Sequence, residues 1–273
     1  MSTITFAKMV ATGNDFILVD NRGGKIEKIV GEMSRFANRV CARRESIGGD
    51  GLLLLENAKE SDITMRIFNP DGGEVTMCGN GSRCVALYAF LKHITKRNMT
   101  ISTKAGILKV HVGNNAVKVQ MTEPKDIKSR FWITVTGWAF EAAFIDTGVP
   151  HVVHFVDDIQ GVDVKRLGRK IRFHDEFAPE GTNVNFVKVD AKHHITVRTY
   201  ERGVEDETYA CGTGAVASAI LASELHSVQS PVRVRTSGGE ILTIYFKRRK
   251  NRFRDVYLEG GVKMVYEGRI DYV

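Results

Sequence analysis

The segment "MCGNGSRCVALYAF", residues 77–90, places Cys78 directly before a Gly-x-Gly turn and a run of apolar residues. A second segment, "ACGTGAVASAI" at residues 210–220, repeats this order around Cys211. Each segment predicts a helix that begins just after its cysteine, because the glycines favour a turn and the following residues favour helix. The start of a helix carries unpaired N–H groups and a partial positive charge, which stabilise a thiolate. We therefore expect activated thiols at Cys78 and Cys211.

Other features of the chain repeat at nearly the same spacing as the two cysteines, which is 211 − 78 = 133 residues. The segment "TGNDFILVD" at residues 12–20 corresponds to "TGVPHVVHFVD" at residues 147–157, and "DITMRIF" corresponds to "HITVRTY". Glu74 and Glu207 each stand four residues before their cysteine. These correspondences indicate an internal duplication.

The duplication predicts an α+β fold of two pseudo-symmetric domains. Each domain is expected to be a curved, mostly antiparallel sheet around the central helix that follows its cysteine. The polar segment "MTEPKDIKS" around Pro124 marks the boundary between them. The predicted domains are residues 1–122, completed by a C-terminal strand at 264–273, and residues 123–263.

Each half also contains an amphipathic helical pattern before its cysteine. In "KIVGEMSRFANRVCARR", Ile29, Met33, Phe36 and Val40 recur at helical spacing. In "DVKRLGRKIRFH", a shorter helix is predicted, with Asp163 as its N-cap. Strand and helix therefore follow in the same order in both halves.

Composition places the chain among globular proteins, with 273 residues and 43% hydrophobic content. No signal peptide or bilayer-spanning run is apparent, so a cytoplasmic location is expected. The four cysteines form no C-x-x-C pair, which argues against a zinc ribbon or a thioredoxin-type centre. They are expected to be free thiols, and Cys41 and Cys84, which lie in amphipathic helical patterns, are expected to be structural.

Two features suggest nucleic-acid or nucleotide binding, but neither has the necessary context. Much of the formal charge of +7 lies in "KRRKNRFR" at residues 247–254, where a hairpin turn is expected, and no aromatic platform accompanies it. The stretch "GTGAVA" fits a loose dinucleotide fingerprint, but no parallel βαβ unit follows it. We therefore expect neither a nucleic-acid nor a membrane partner.

Two thiols in equivalent positions of two related domains suit the inversion of a stereocentre. Inversion removes a proton from one face of a carbon and delivers another to the opposite face, so it needs two acid/base groups. Without a cofactor, the developing negative charge needs positioned donors, and two helix N-termini facing a cleft between the domains would supply them. The expected partner is a small molecule with a carboxylate.

These motifs resemble the diaminopimelate epimerase family over nearly the whole chain. The resemblance rests on "TGNDFILVD", "GGDGLLLL", "RIFNPDGGEVTMCGNGSRC", "PHVV", "TNVNF" and "YERGVEDETYACGTGA". It implies an isomerase of lysine and peptidoglycan precursor synthesis that converts LL-2,6-diaminopimelate to the meso form, with neither cofactor nor metal. It also implies a homodimer.

The resemblance assigns roles by position. Cys78 and Cys211 would be the two acid/base residues, and His151 and Glu201 would tune their protonation. The remaining residues would bind the substrate: Glu201 and Arg202 at its distal end, and elsewhere Asn14, Asn69, Gly79, Asn80, Asn183, Gly212 and Thr213.

Two alternatives remain open from the sequence. One is another two-thiol racemase of the same fold, acting on proline, hydroxyproline or histidine, although Tyr200-Glu201-Arg202-Gly203 precedes Cys211 here instead of the Ser-Pro pair usual for proline. The other is a catalytically silent binding module, which need not keep both cysteines.

Overall fold

The computed structural model describes residues 2–135, 137–250 and 252–272. It divides into two compact units, one of residues up to Val119 together with those from Gly260 onward, and one of Gln120–Glu259. The predicted boundaries after residues 122 and 263 lie three and four residues further along the chain. Because the first unit takes its last strand from the C-terminus, the second unit is inserted into it.

The elements before the linker are β1 (Ser2–Ala11), β2 (Asn14–Asp20), α1 (Ile26–Val30), α2 (Met33–Cys41), β3 (Gly51–Glu56), β4 (Ile63–Phe68), β5 (Glu74–Val75), α3 (Gly79–Leu91), β6 (Asn98–Thr103), β7 (Gly106–Val112) and β8 (Ala116–Gln120). The elements after it are β9 (Lys125–Val135), β10 (Trp138–Asp146), β11 (Pro150–Phe155), α4 (Val164–Arg172), β12 (Asn183–Ala191), β13 (His194–Glu201), β14 (Asp206–Thr208), α5 (Gly212–His226), β15 (Val232–Arg235), β16 (Ile241–Arg249), β17 (Arg252–Gly261) and β18 (Lys263–Tyr272). A short 3₁₀ turn, Asp175–Phe177, follows α4.

The two units have the same strand order. In the first, the order is β18, β1, β2, β3, β4, β6, β7, β8, with β5 also paired to β4. In the second, it is β9, β10, β11, β12, β13, β15, β16, β17, with β14 also paired to β13. The parallel pairs among the described strands are β2 with β3 and β4 with β6 in the first unit, and β11 with β12 and β13 with β15 in the second. The structure confirms the predicted duplicated, mostly antiparallel α+β architecture.

The helix after each cysteine forms the centre of its unit. Helix α3 packs against β1, β2, β3, β4, β6, β7 and β18, and α5 packs against β9 to β13, β15 and β16. Both helices are apolar around most of their circumference, which is the pattern of a buried helix. The many alanines of α5 allow close approach of the surrounding strands.

A second helical layer covers the other face of each sheet. Strand β3 is buried on both sides, with Leu53 and Leu55 in the core around α3 and Leu52 and Leu54 in the core around α1 and α2. This explains the continuous leucine run, because a strand buried on both faces has no polar alternation. In the second unit, α4 packs against β12 and β13.

The first amphipathic pattern forms two helices instead of one. Helix α1 ends at Val30 and α2 begins at Met33, with Gly31 between them at a φ of 73°. This positive φ ends the helix, and glycine adopts it without strain. Met33, Phe36 and Val40 are buried as predicted, and Asp163 caps α4 by accepting from the N–H of Arg166.

Two further sequence features have structural explanations. Arg66 pairs with Glu74, and Arg198 pairs with Glu207, at Nε–Oε1 distances of 2.9 and 2.8 Å. The repeated glutamates therefore hold the short strand before each cysteine to its neighbour. The basic run at residues 247–254 forms the end of the hairpin between β16 and β17, and Asn251 in it lies outside the described residues. Within the described ranges, no helix is long and apolar enough to cross a membrane.

Candidate active site

Each turn cysteine is the N-cap of its central helix. Cys78 Sγ accepts from the N–H of Gly81, and Cys211 Sγ accepts from the N–H of Gly214, both at 3.4 Å. Both cysteine residues are half-buried. The predicted placement of the two cysteines at helix starts is confirmed, and each sulfur takes the position that a Ser or Asp oxygen usually occupies.

The second glycine of each turn is required by what lies beneath it. A Cβ on Gly214 would stand 2.4 Å from Asn185 Oδ1, and a Cβ on Gly81 would stand 2.9 Å from Leu53 Cδ2. A side chain at either position would clash with the side chain beneath it. The Gly-x-Gly pattern therefore brings the helix start down onto the sheet while Gly79 and Gly212 remain the first helical residues.

A chain of amide hydrogen bonds runs beside Cys78. Arg83 Nη2 donates to Asn80 Oδ1 at 2.7 Å, and Asn80 Nδ2 donates to Asn14 Oδ1 at 2.5 Å. Asn14 Nδ2 in turn donates to Asp50 Oδ2 at 3.2 Å. A guanidinium can only donate and a carboxylate can only accept, so the two ends fix the orientation of both amides. Each of the two amides uses one of its N–H groups in this chain.

Both ends of this chain are anchored. Arg83 is fully buried and also donates to Thr12 Oγ1. Asp50 accepts from Arg43 Nη2 at 2.8 Å and from the N–H of Asp15 at 3.0 Å. Burial opposes ionisation of Asp15, but hydrogen bonds and ion pairs with Arg43 and Lys8 outweigh it and lower its pKa. The amides beside Cys78 are therefore held in a rigid polar frame.

Asn69 does not join this network. It lies in the turn between β4 and β5, where its backbone bonds with that of Gly72 and Gly73 close the turn. Its side chain is exposed. The predicted role of Asn69 in substrate binding therefore rests on the resemblance alone.

Asn185 is the centre of the polar network beneath Cys211. Its Nδ2 donates to the carbonyl of Val152 at 3.0 Å, which fixes the amide orientation, and also to His151 Nδ1 at 3.1 Å. Its Oδ1 accepts from Thr199 Oγ1 at 3.0 Å. Since His151 Nδ1 is an acceptor, the proton of the neutral ring lies on Nε2.

His151 is fully buried, and its Nε2 has no partner within the described residues. Burial and the nearby charge of Arg202 lower its pKa to about 3. The ring is therefore neutral at physiological pH and presents an N–H donor without a protein acceptor. An unpaired buried donor is costly, and a bound ligand would satisfy it.

Cys211 is surrounded by groups with opposing effects on its thiol. Burial and the charge of Glu201 raise its pKa, while hydrogen bonds from Thr213 and Gly214 lower it. The net result is a pKa of about 12. The expectation of an activated thiolate from the helix start alone is therefore wrong for Cys211 in this state, because burial and a neighbouring carboxylate outweigh the helix N-terminus.

Glu201 itself is largely shielded. Burial raises its pKa, while a hydrogen bond from Thr208 Oγ1 at 2.9 Å opposes the shift. Thr213 is also close to this thiol, with its Oγ1 3.4 Å from Cys211 Sγ. Glu201 and Thr213 therefore both lie near the Cys211 thiol.

The side chain of Asn183 forms hydrogen bonds with backbone atoms close to Glu201. Its Nδ2 donates to the carbonyl of Pro150 at 2.9 Å, and its Oδ1 accepts from the N–H of Arg202 at 2.9 Å. These two contacts join the backbone at Pro150 to that at Arg202. The Arg202 guanidinium stands 3.9 Å from Glu180, whose carboxylate is largely exposed, so its nearest acidic partner is a weak one.

Sequence reasoning missed several residues of these networks. Asp50 and Arg83 anchor the first turn, and Asn185 and Thr208 support the second. Two signals could have revealed them. Arg83 is a lone charge in a buried helical run, and Asn185 shares a strand face with Asn183 at a spacing of two residues.

The other two cysteines are buried, as expected for structural residues. Burial raises the pKa of Cys41 to about 11 and raises that of Cys84 as well. In the part of the chain that the structure describes, no three His, Cys, Asp or Glu side chains are grouped so as to hold a metal ion.

Comparison with solved structures supports the fold. A phenazine biosynthesis protein of the PhzF family from Bacillus anthracis aligns with a TM-score of 0.76 at 19% identity, covering 100% of both chains. A probable proline racemase from Agrobacterium radiobacter aligns with a TM-score of 0.71 at 13% identity, covering 98% of this chain and 93% of that one. Identities this low establish a shared architecture only.

Sequence comparison is more specific. The model of the diaminopimelate epimerase family matches residues 6–127 and 143–265. The diaminopimelate epimerase of Aquifex aeolicus is 44% identical over 97% of both chains, and that of Hydrogenobaculum is 40% identical over 97% of this chain and 98% of its own. Both cysteine turns and the networks around them lie within the matched ranges. The chain therefore belongs to the diaminopimelate epimerase family.

Proposed function

We propose that this protein epimerises LL-2,6-diaminopimelate to meso-diaminopimelate, without cofactor or metal, using Cys78 and Cys211 as the acid/base pair. The observation that carries the proposal is the presence of two thiol N-caps of the same construction, one in each duplicated unit, in a member of this family. Inversion of a stereocentre requires two acid/base groups that act on opposite faces of one carbon.

The different surroundings of the thiols suggest how the reaction begins. The raised pKa of Cys211 favours its protonated form, so Cys211 would deliver a proton while Cys78 removes one. The α C–H bond breaks, its proton goes to one sulfur, and the other sulfur gives its proton to the opposite face. The reverse reaction differs only in which thiol starts protonated. His151 and Glu201 would set this protonation pattern from beside Cys211.

The helix starts would hold the carboxylate at the reacting carbon. The N–H groups of Gly79, Asn80, Gly212 and Thr213 belong to the first helical turns, where intrahelical acceptors are lacking. Such donors stabilise the negative charge that develops when the α-proton leaves. Asn14 and Asn69 would bind other polar groups of the substrate.

The distal amino-acid end would be bound near Arg202. A guanidinium forms a bidentate pair with a carboxylate, and among the described residues the acidic partner of Arg202 is the largely exposed Glu180, at 3.9 Å. Its position is fixed by Asn183 through the backbone. We propose that Glu201, Arg202 and Asn183 together select a substrate that carries a second amino-acid group.

The test is a substrate panel. The purified protein is incubated in D₂O with LL-diaminopimelate, L-proline, trans-4-hydroxy-L-proline and L-histidine, and α-deuterium is followed by NMR. Incorporation with diaminopimelate alone supports the proposal. Incorporation with one of the other amino acids would favour a racemase of the same fold, and incorporation with none would favour a binding module.

We further propose that the enzyme works as a homodimer in the cytoplasm. Free cysteines at all four positions are compatible with a reducing compartment. Trp132 and Trp138, on the hairpin of β9 and β10, are 71% and 80% exposed, which is unusual for tryptophan and would suit an interface. Sedimentation equilibrium of the protein and of its Trp132→Ser variant would test the dimer, with a monomeric wild type as the contradicting result.

A further inference from the structure

The turn that carries Glu201 and Arg202 joins β13 to β14. These strands pair Tyr200 with Glu207 and Glu201 with Asp206. Within the turn, the N–H groups of Val204 and Glu205 donate to the carbonyl of Glu201, at 3.3 and 2.9 Å. The two proposed ligands of the distal substrate end therefore stand at the start of a tight turn whose geometry depends on Glu205.

Glu205 has an unfavourable backbone conformation. Its φ is 59°, in the left-handed region that glycine adopts far more readily than a residue with a Cβ. A glutamate at this position implies that its side chain contributes something that glycine lacks. The contacts of the carboxylate show what that contribution is.

Three donors converge on the Glu205 carboxylate. Oε1 accepts from the N–H of Gly203 at 3.0 Å and from Arg172 Nε at 3.2 Å, and Oε2 accepts from the hydroxyl of Tyr200 at 3.3 Å. Burial opposes ionisation of Glu205, but these donors and the charge of Arg172 outweigh it and lower its pKa. The carboxylate thus ties the middle of the turn to β13 and to a cation outside it.

That cation belongs to the end of α4 and is well shielded. The Arg172 side chain is 12% exposed, and its Nη1 also donates to the carbonyl of Glu180 at 3.0 Å. A Cβ on Gly181 would stand 1.8 Å from this Nη1, so the guanidinium lies in space that only glycine leaves open. Helix α4 is itself fixed on β13, because a Cβ on Gly168 would stand 2.5 Å from Tyr200 Cβ.

The Arg172–Glu205 ion pair holds the turn that carries two residues of the proposed site, Glu201 and Arg202. The charge of Glu201 raises the pKa of Cys211, and the charge of Arg202 lowers that of His151, so both side chains are near the groups they are proposed to serve. Any loosening of the turn would move both charges. The neighbouring ion pair of Lys165 and Asp206 also joins α4 to this turn, but its side chains are 70% and 46% exposed.

We propose that Glu205, held by Arg172, is a positioning residue that fixes Glu201 and Arg202 for recognition of the distal end of the substrate and for control of the Cys211 thiol. This inference rests on the proposed function for its substrate. It assigns to the Arg172–Glu205 pair a role in specificity and protonation in addition to its contribution to folding.

Glu205→Gly is the decisive variant, because glycine relieves the backbone strain while it removes the carboxylate. We expect a melting temperature close to that of the wild type and a KM for diaminopimelate raised roughly tenfold, with a smaller change in kcat. Glu205→Gln keeps an acceptor for Gly203 and should show an intermediate KM. Lys165→Ala removes the exposed pair between the same two elements and should leave KM unchanged.

A second measurement does not depend on the substrate. In a Cys78→Ser background, Cys211 is the accessible thiol, since Cys41 and Cys84 are buried. The pH dependence of its alkylation by iodoacetamide should shift to lower pH in Glu205→Gly, because a displaced Glu201 no longer raises the pKa of Cys211 as strongly.

The two measurements separate the possible failures. In an enzyme that epimerises diaminopimelate, an unchanged KM in Glu205→Gly overturns the positioning role. If the wild type does not act on diaminopimelate, the proposed function is wrong. The positioning role of Glu205 is then tested by the pH profile of Cys211 alkylation alone. A shifted profile would then support the positioning role, and an unshifted one would overturn it. If Glu205→Gly does not fold, the same comparisons apply to Glu205→Gln.

Discussion

The turns at Cys78 and Cys211 have the same backbone construction but different polar surroundings. Cys78 lies beside amides whose orientation is fixed between Arg83 and Asp50. Cys211 lies beside the shielded carboxylate of Glu201. Duplication therefore preserved the means of holding a thiol at a helix start, while the groups that set its protonation diverged.

The comparison explains how two similar elements can act as different partners in one reaction. A thiol next to a carboxylate holds its proton more strongly, and Glu201 has this effect on Cys211. In the proposed reaction, each repeated turn would supply one thiol, and the differing side chains would decide which thiol starts as the acid. Substitutions in the two turns should accordingly have different consequences.

The largest effect is expected from the thiols themselves. Cys78→Ala or Cys211→Ala should lower kcat for epimerisation at least about a thousandfold, since each variant has one competent acid/base group for two faces. Cys84→Ala is the matched control within α3 and should retain activity. Equal losses in Cys84→Ala without loss of stability would contradict the division into catalytic and structural cysteines.

The next largest effect is expected from Arg202, which lies near the Cys211 turn and has no counterpart among the residues described beside Cys78. Arg202→Ala should lower kcat/KM for diaminopimelate roughly tenfold to a hundredfold, because a bidentate pair with the distal carboxylate is lost. Arg202→Lys should recover little, since lysine offers no planar pair of donors. The exposed Arg166 of α4 provides a control, and Arg166→Ala should have wild-type kinetics. Wild-type kinetics in Arg202→Ala would remove the distal assignment.

A smaller effect is expected from the frame of the first turn. Arg83→Met should lower kcat/KM about tenfold and the free energy of unfolding by about 1–3 kcal/mol, because two buried acceptors lose their donor. Arg83→Lys should be less affected in both. Steady-state kinetics and chemical unfolding would measure these changes. An active Arg83→Met variant with an unaltered KM would show that the Asn14 and Asn80 amides keep their orientation without the Arg83 guanidinium.

The last prediction concerns the pH dependence of stability, which reports on a single buried ring and not on catalysis. The pKa of His151 is about 3 in the folded state and ordinarily about 6.5, so the unfolded chain takes up its proton first. The stability that the neutral ring contributes is fully present above pH 6.5 and is lost as the pH falls towards 3. Between these two pH values, the free energy of unfolding falls by about 1.4 kcal/mol for each pH unit of acidification.

His151→Gln should therefore show a shallower decline in unfolding free energy between pH 6 and pH 4 than the wild type. Substitution of the exposed His194 should leave the decline unchanged. Parallel curves for His151→Gln and the wild type would mean that the ring is protonated in the folded protein.

Much of the architecture could be predicted from short patterns. The Cys-Gly-x-Gly turns predicted both buried helices and their caps, because helix starts depend on neighbouring residues. The break at Gly31 was not anticipated, since the apolar spacing continues across it. The helical pattern constrains which residues face the core but does not require an unbroken helix.

The electrostatics of the site could not be predicted in the same way. The pKa of Cys211 depends on its burial and on Glu201, which reaches it only through the folding of β13, β14 and α5 around it. The role of Arg83 depends on contact with Thr12, which is 71 residues away in sequence. Local patterns identify groups that can react, whereas long-range packing decides their protonation.

The central claim is that two different thiols act on opposite faces of one carbon, and the isotope content of the first turnovers tests it most directly. The wild-type protein is given LL-diaminopimelate in D₂O, and recovered substrate and meso product are separated and analysed by mass spectrometry. We predict one α-deuterium in the meso product and almost none in the recovered LL-substrate, because the proton delivered comes from a second, solvent-equilibrated thiol. Comparable label in the recovered substrate, or return of the original proton into the product, would contradict the two-thiol account.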